Sequence, residues 1–187
     1  MLSAALDCCL ERGVQRTTVE QVRKRAGVSN GSFFHHFPNK QDLADAVYLQ
    51  GLEQHQAELL AVLTPQIGLQ AGIEEVVHRR LAWMTAHPRL AAFLLAPPDW
   101  IAPRDAPQIA ATNRHFFHSV ASWLRDHGWA GTPALSIAIA IWTGPAQEYA
   151  RHRLLGSAET TEDAASALAQ AAWNALQPLL PTTATGD

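Results

Sequence analysis

A chain of 187 residues, 48% hydrophobic and 17% charged, can bury a real core as one large domain or as a small module joined to a larger one, which excludes a disordered or collagen-like chain. Its two cysteines, Cys8 and Cys9, are adjacent in sequence, which argues against a secreted disulfide scaffold and fits a reducing cytoplasm. The net charge of −3 hides an asymmetry: residues 1–40 hold six Lys/Arg against three Asp/Glu, about +3, and leave about −6 for the remainder.

A basic end on an acidic body permits that end to face DNA while the body keeps the protein off DNA in other orientations. No basic region precedes a long apolar run at the N-terminus, so no signal peptide is expected. No uninterrupted apolar segment approaches the roughly 20 residues needed to cross a bilayer.

In chain order the apolar spacing predicts helices. Leu2, Ala5, Leu6, Cys9 and Leu10 recur at i, i+3 and i+4, and Gly13 ends this first helix. Thr17 and Thr18 offer cap oxygens with Glu20 and Gln21 three residues beyond them, which starts a short second helix at about Thr18 and runs it to Ala26 before Gly27. Ser29 caps a short third helix through His36, and Pro38 closes it by pushing Phe37 out of the helical region. Asn39 then caps a long fourth helix carrying Leu43, Ala46, Val47, Leu49, Leu52, Leu59, Leu60 and Leu63, as far as Pro65.

Coarser signals predict helices over Ala71–Ala86, Pro88–Leu95, Pro107–His127, Pro133–Leu155 and Glu162–Leu180, with proline at the first turn of two of them. Ala96–Pro103, which contains Pro97, Pro98 and Pro103, reads as a rigid loop, and Gly144-Pro145 predicts a kink. The fold class is all-α: an N-terminal three-helix helix-turn-helix domain (residues 1–43) joined to a second helical domain (44–187), whose ligand-binding and dimerisation roles are implied by the resemblance described below.

The first forty residues are the most specific. Two short helices joined by Ala26-Gly27-Val28 form a helix-turn-helix, because glycine allows the sharp turn and Val28 gives an apolar contact beneath it. In such a unit the second short helix enters the major groove and its N-terminal residues face base edges. Thr17, Thr18, Val19, Val22, Ala26, Gly27, Val28, Ser29, Gly31, Ser32, Phe33, Phe34, His36, Phe37, Lys40 and Leu43 stand in register with the N-terminal pattern of the TetR family of bacterial transcriptional regulators, which the chain resembles over about a quarter of its length. Three departures stand out. Arg23 replaces a frequent alanine and is either exposed or folds its stem over the unit. Phe34 replaces a frequent tyrosine, with the loss of a hydroxyl that often touches phosphate. The first helix begins almost at Met1, so either the natural start lies upstream or a basic lead-in is missing.

The resemblance places Thr17, Thr18, Ser29, Asn30, Gly31, Ser32, Phe34, His35, His36 and Lys40 at the DNA surface. Phe33 and Phe37 are expected to pack beneath it. Lys40 opens the fourth helix where its charge opposes the helix dipole, which points to an outside anion such as phosphate. His35 and His36 diverge by about 100° on a helix and lack a ligand partner at metal spacing, so they read as surface rather than zinc site.

In the acidic body, Trp83, Phe93, Trp100, Phe116, Phe117, Trp123, Trp142 and Tyr149 are candidates for lining a pocket, and the resemblance implies a small-molecule effector there. The last two helices, 133–155 and 162–180, are rich in alanine and other small residues, and the resemblance implies that they pair with their copies to form a homodimer. The leading reading is therefore a cytoplasmic repressor, not an enzyme and without a cofactor, that binds double-stranded operator DNA and is released by the effector. A rival is a small helical metal-binding protein or enzyme built on His115, His118, Glu148 and His152.

Overall fold

The structure, a computed structural model, describes residues 1–95, 107–156 and 163–180. Among them are nine α-helices: α1 (Leu2–Arg12), α2 (Val19–Ala26), α3 (Asn30–His36), α4 (Lys40–Leu60), α5 (Leu69–Ala86), α6 (Pro88–Leu95), α7 (Pro107–Asp126), α8 (Leu135–Leu154) and α9 (Ala164–Leu176), followed by a 3-10 turn at Gln177–Leu179. No helix among the described residues is long and apolar enough to cross a membrane. The expected Ala96–Pro103 loop and Trp100 lie outside the described residues, as does Glu162.

The local signals act as expected at the N-terminus. Thr18 and Gln21 form a reciprocal capping box, with the Gln21 amide donating to Thr18 Oγ1 and the Thr18 amide to Gln21 Oε1 at 3.0 Å. Asn39 accepts the Asp42 amide at 3.0 Å and donates to its carboxylate, which starts α4. The boundaries of α4, α8 and α9 differ from the sequence expectation, and α5 starts two residues earlier, at Leu69. α4 stops at Leu60 instead of running to Pro65, because Val62 and Leu63 close tighter i−3 bonds and Pro65 keeps Thr64 out of the helical region. α8 opens at Leu135 with Pro133 outside it, and α9 gives way at Gln177 where Pro178 removes a donor. α8 runs on as helix across Pro145.

The chain divides into two compact units. The first comprises Met1–Gln54 and His87–Thr112. Its core joins Ala5, Leu6 and Cys9 of α1, Val22 of α2, Phe33 of α3, Leu43 and Val47 of α4, and Phe93 of α6. Arg89 pairs with Asp7, which ties α6 to α1 at the surface, and Arg25 pairs with Glu11 at 2.7 Å. These exposed pairs add little beside the buried core.

The second unit comprises His55–Ala86 and Asn113–Asp187, in which α5, α8 and α9 pack on one another. Trp123 and Trp142 are buried with ring centroids 6.2 Å apart, and their indole N–H groups donate to Thr64 O at 3.2 Å and Ile73 O at 2.9 Å. Gly72 lets α5 approach Trp123: a Cβ there would lie 2.7 Å from the indole Cη2. Gly72→Ala is therefore expected to cost about 1–3 kcal/mol by overpacking. Denaturant unfolding checks this, and a stability equal to wild type would show that the indole moves aside freely.

Candidate DNA-binding surface

α3 is short, so its placement depends on what lies beneath it. Phe33 is 0% exposed at the centre of the first unit's core, and Phe37 packs against that core from the helix's C-terminal end. At about 100° per residue, Gly31 and His35 lie opposite Phe33, with Asn30, Phe34, Ser32 and His36 on the flanks. Ser29, Asn30, Gly31, Ser32, Phe34, His35 and His36 are all exposed. Ser29 spends its hydroxyl oxygen on the Ser32 amide at 3.1 Å and fixes the start of the helix. Phe34 is 48% exposed and meets Phe33 edge-on at 5.2 Å, an unusual position for a ring in water. A Cβ on Gly31 would meet nothing of the protein closer than Ser29 Oγ at 4.0 Å, so nothing inside the chain requires glycine there.

The turn before α3 is closed largely by one residue. Gly27 has φ 67° and ψ 29°, the left-handed conformation that glycine adopts without steric cost. Its amide and that of Val28 both turn back to the Arg23 carbonyl, while Arg23 Nη1 donates to Val28 O at 3.2 Å. Arg23 thus folds over the unit and staples the turn from the side-chain end as well.

Thr17 and Lys40 are directed into the protein. Thr17 is buried, and its hydroxyl faces Gly13 O at 2.9 Å and Cys8 O at 3.1 Å. Lys40 directs its ammonium to the carbonyls of Gln15 at 2.6 Å, Thr17 at 3.2 Å and Val14 at 3.4 Å. The local helix dipole is unfavourable to it, as its position implies, but the compensating negative charge comes from loop carbonyls. Thr18 remains exposed at the start of α2, and Lys24 and Arg25 are exposed at its end. Lys40→Met is expected to cost about 1–3 kcal/mol, because three carbonyls lose a charged donor. Thermal denaturation of the two proteins measures it, and an unchanged midpoint would remove the lysine from this structural role.

The described aromatic residues expected to line a pocket fall in both units. Phe93 belongs to the first unit's core beside Tyr48, with ring centroids 6.5 Å apart, whereas Trp83, Trp123, Trp142, Tyr149, Phe116 and Phe117 belong to the second. Phe117 is 42% exposed. The His115, His118, Glu148 and His152 set does not assemble. Glu148 is held by Arg151 and meets His152 Nε2 at 2.9 Å, His115 and His118 are exposed, and no three His, Cys, Asp or Glu side chains converge among the described residues.

Two titratable groups that the sequence reading passed over lie in the second unit, His55 buried and Arg80 half-buried. His55 is 7% exposed against the Trp83 ring at 4.9 Å, and burial with the nearby Arg80 charge pushes its pKa down to about 3. Arg80 has its own pKa pushed down to about 10 by burial. The available signal was periodic: Arg80 falls on the apolar stripe of Ile73, Val76, Val77 and Met84.

The sequence profile of the N-terminal domain of bacterial regulatory proteins of the tetR family matches residues 1–47, which contain the capped α2, the Gly27 turn and the exposed α3. Over residues 1–47 the chain is similar to the N-terminal domain of the TetR family. Among its relatives, the transcriptional regulator SrpR of Pseudomonas putida is 34% identical over 77 residues, 41% of this chain and 34% of that protein. The chain spans between about a quarter and three fifths of the length of the curated relatives it matches. Solved TetR-family structures share the fold over nearly the whole chain. A regulator from Marinobacter aquaeolei has a TM-score of 0.75 at 18% identity, covering 93% of this chain and 92% of that one. The regulator FadR of Bacillus subtilis, solved in complex with stearoyl-CoA, has a TM-score of 0.73 at 15% identity, covering 96% and 95%.

Proposed function

We propose that this protein is a TetR-like cytoplasmic homodimeric repressor that binds double-stranded operator DNA and leaves it when a small-molecule effector binds. The observation that carries the reading is α3: an exposed polar and aromatic surface, with an intramolecularly unneeded glycine at its crest, held from beneath by a fully buried phenylalanine. Residues 1–43 read the DNA, with Asn30, Ser32, His35 and His36 at base edges and Thr18, Ser29, Phe34 and the Gly31 backbone against the sugar-phosphate wall. Thr17 and Lys40 act on DNA through the loop they hold.

Residues 44–187 bind the effector and make the dimer. The outer face of α8 supports pairing through 133–155 and 162–180: Ile137 and Leu155 are 53% and 68% exposed, in line five turns apart, with the small Gly144 between them. Effector and DNA affinities then oppose each other through one coupling energy, because the ligand favours a conformer whose two copies of α3 no longer match successive major grooves.

Fluorescence anisotropy against the DNA flanking the protein's own gene tests the reading. Binding should weaken steeply as salt rises, and Asn30→Ala should change sequence preference more than overall salt slope. The absence of any salt-sensitive binding to those segments would sink the proposal.

A further inference from the structure

Half of the cations at the N-terminal end are occupied within the protein. Of the six Lys/Arg in residues 1–40, Arg25 is paired with Glu11 at 2.7 Å, Arg23 turns to the Val28 carbonyl, and Lys40 turns to three loop carbonyls. Arg12, Arg16 and Lys24 are exposed, and among the described residues none of them meets a carboxylate. Arg16 differs from the other two in being held: its Nε donates to the carbonyl of Arg12, the last residue of α1, at 2.8 Å. That bond uses the inner edge of the guanidinium and leaves the two Nη groups facing outward.

Lys40 fixes where Arg16 stands. Its ammonium gathers the carbonyls of Val14, Gln15 and Thr17, and it lies four residues beyond His36, the last residue of α3. The loop that carries Arg16 is thereby held beside the C-terminal end of α3. Its carbonyls turn in to Lys40, while Arg16 and Thr18 are exposed beside the face of α3 that carries His35 and His36.

We propose that Arg16 binds a phosphate of the DNA backbone beside the groove that α3 enters, and so makes the anion contact that chain position suggested for Lys40. The proposal rests on the DNA-binding reading above and adds a residue to it. A backbone phosphate carries one negative charge and two non-bridging oxygens, which the outer edge of a guanidinium meets with two N–H donors. With Nε already tied to Arg12, part of the side chain's freedom is lost on folding and is not lost again on binding. Such a contact sets the register of the protein on the duplex and reads no base. The roles of Lys40 and Arg16 are then complementary: one draws the loop in, and the other projects from it. Lys24 carries the same charge without an anchor, six residues past the Thr18 cap of α2, which makes it the control for net charge alone.

The experiment measures anisotropy of the full-length protein on DNA flanking its own gene and on a scrambled duplex of equal length, over a range of salt concentrations. It compares wild type with Arg16→Gln, Arg16→Lys and Lys24→Gln, with thermal midpoints on the same samples. Arg16→Gln should weaken binding to both duplexes by a similar factor, about tenfold, and lower the salt slope by about one. Arg16→Lys should keep the wild-type slope and recover part of the affinity. Both variants lose the bond to Arg12, so the difference between them reports the charge and not the anchor. Lys24→Gln should keep the wild-type slope. Arg16 is exposed, so the midpoints should change little. A wild-type slope in folded Arg16→Gln, an equal fall in slope for Lys24→Gln, or a loss confined to one duplex would each overturn the proposal and leave the DNA-binding reading standing. Should Arg16→Gln fail to fold, an Arg16→Lys slope lower by one overturns the proposal, and a wild-type slope with reduced affinity supports it. No salt-sensitive binding by wild type to either duplex would end both.

Discussion

Phe33→Ala is expected to destabilise the first unit by about 3–5 kcal/mol, enough to abolish DNA binding without removing any atom from the exposed face of α3. The ring is 0% exposed and touches a core assembled from α1, α2, α4 and α6, so its removal leaves a cavity that short helices can close only by moving. A seven-residue helix has little stability of its own and takes its position from that packing. Phe34→Ala, one residue on, is the control: the ring is 48% exposed, so stability should change by well under half as much while any effect on DNA binding remains. Denaturant midpoints with anisotropy on the same samples compare the two. Similar losses of stability from both would mean that α3 is held by both rings and that Phe34 is not free to face a partner.

The second large effect is a dependence of stability on acid. His55 resists protonation in the folded protein down to about pH 3, whereas in the unfolded chain it takes a proton near its ordinary value of 6.5. The sign follows: below about pH 6.5 the unfolded state binds more protons, so this stabilisation is fully present at neutral pH and is lost as pH falls towards 3. The slope is about 1.4 kcal/mol per pH unit, roughly 4 kcal/mol by the foot of the window. Many carboxylates titrate in the same range, so the quantity to measure is the difference between wild type and His55→Gln, which removes one titrating group. Between pH 6 and 4 the variant should lose stability less steeply by close to one proton's worth. Parallel profiles would mean that His55 is solvated in the folded state and carries no burial penalty. The midpoint at neutral pH can move either way without affecting this slope.

Much of the first unit was legible because its signals are local. A threonine three residues before a glutamine, a serine before a short run, an asparagine before an aspartate and a glycine at a turn each act within one helical turn, and Thr18, Ser29, Asn39 and Gly27 occupy the positions those rules give them. The ends of α4 and α9 were less legible because a proline several residues ahead limits a helix without saying how early it unwinds. The pocket residues were the weakest reading. An aromatic side chain at helical spacing serves a core or a cavity equally well, and Phe93 belongs to a different unit from the other described candidates.

The sequence by itself therefore determined an all-α chain with a basic helix-turn-helix end and the residues that α3 exposes, since periodicity, capping and sign of charge are properties of neighbours along the chain. Tertiary structure alone decided where the cations go. Lys40 and Arg23 look alike in sequence to any surface cation, yet they reach carbonyls 23 to 26 and 5 residues away and hold two loops of the helix-turn-helix. Arg79 and Arg80 are neighbours of the same type, yet one meets Glu58 and Glu75 and the other is turned inward with a sealed nitrogen. A side chain's charge is written in its residue type, but whether that charge is solvated or paired depends on what other helices bring to it.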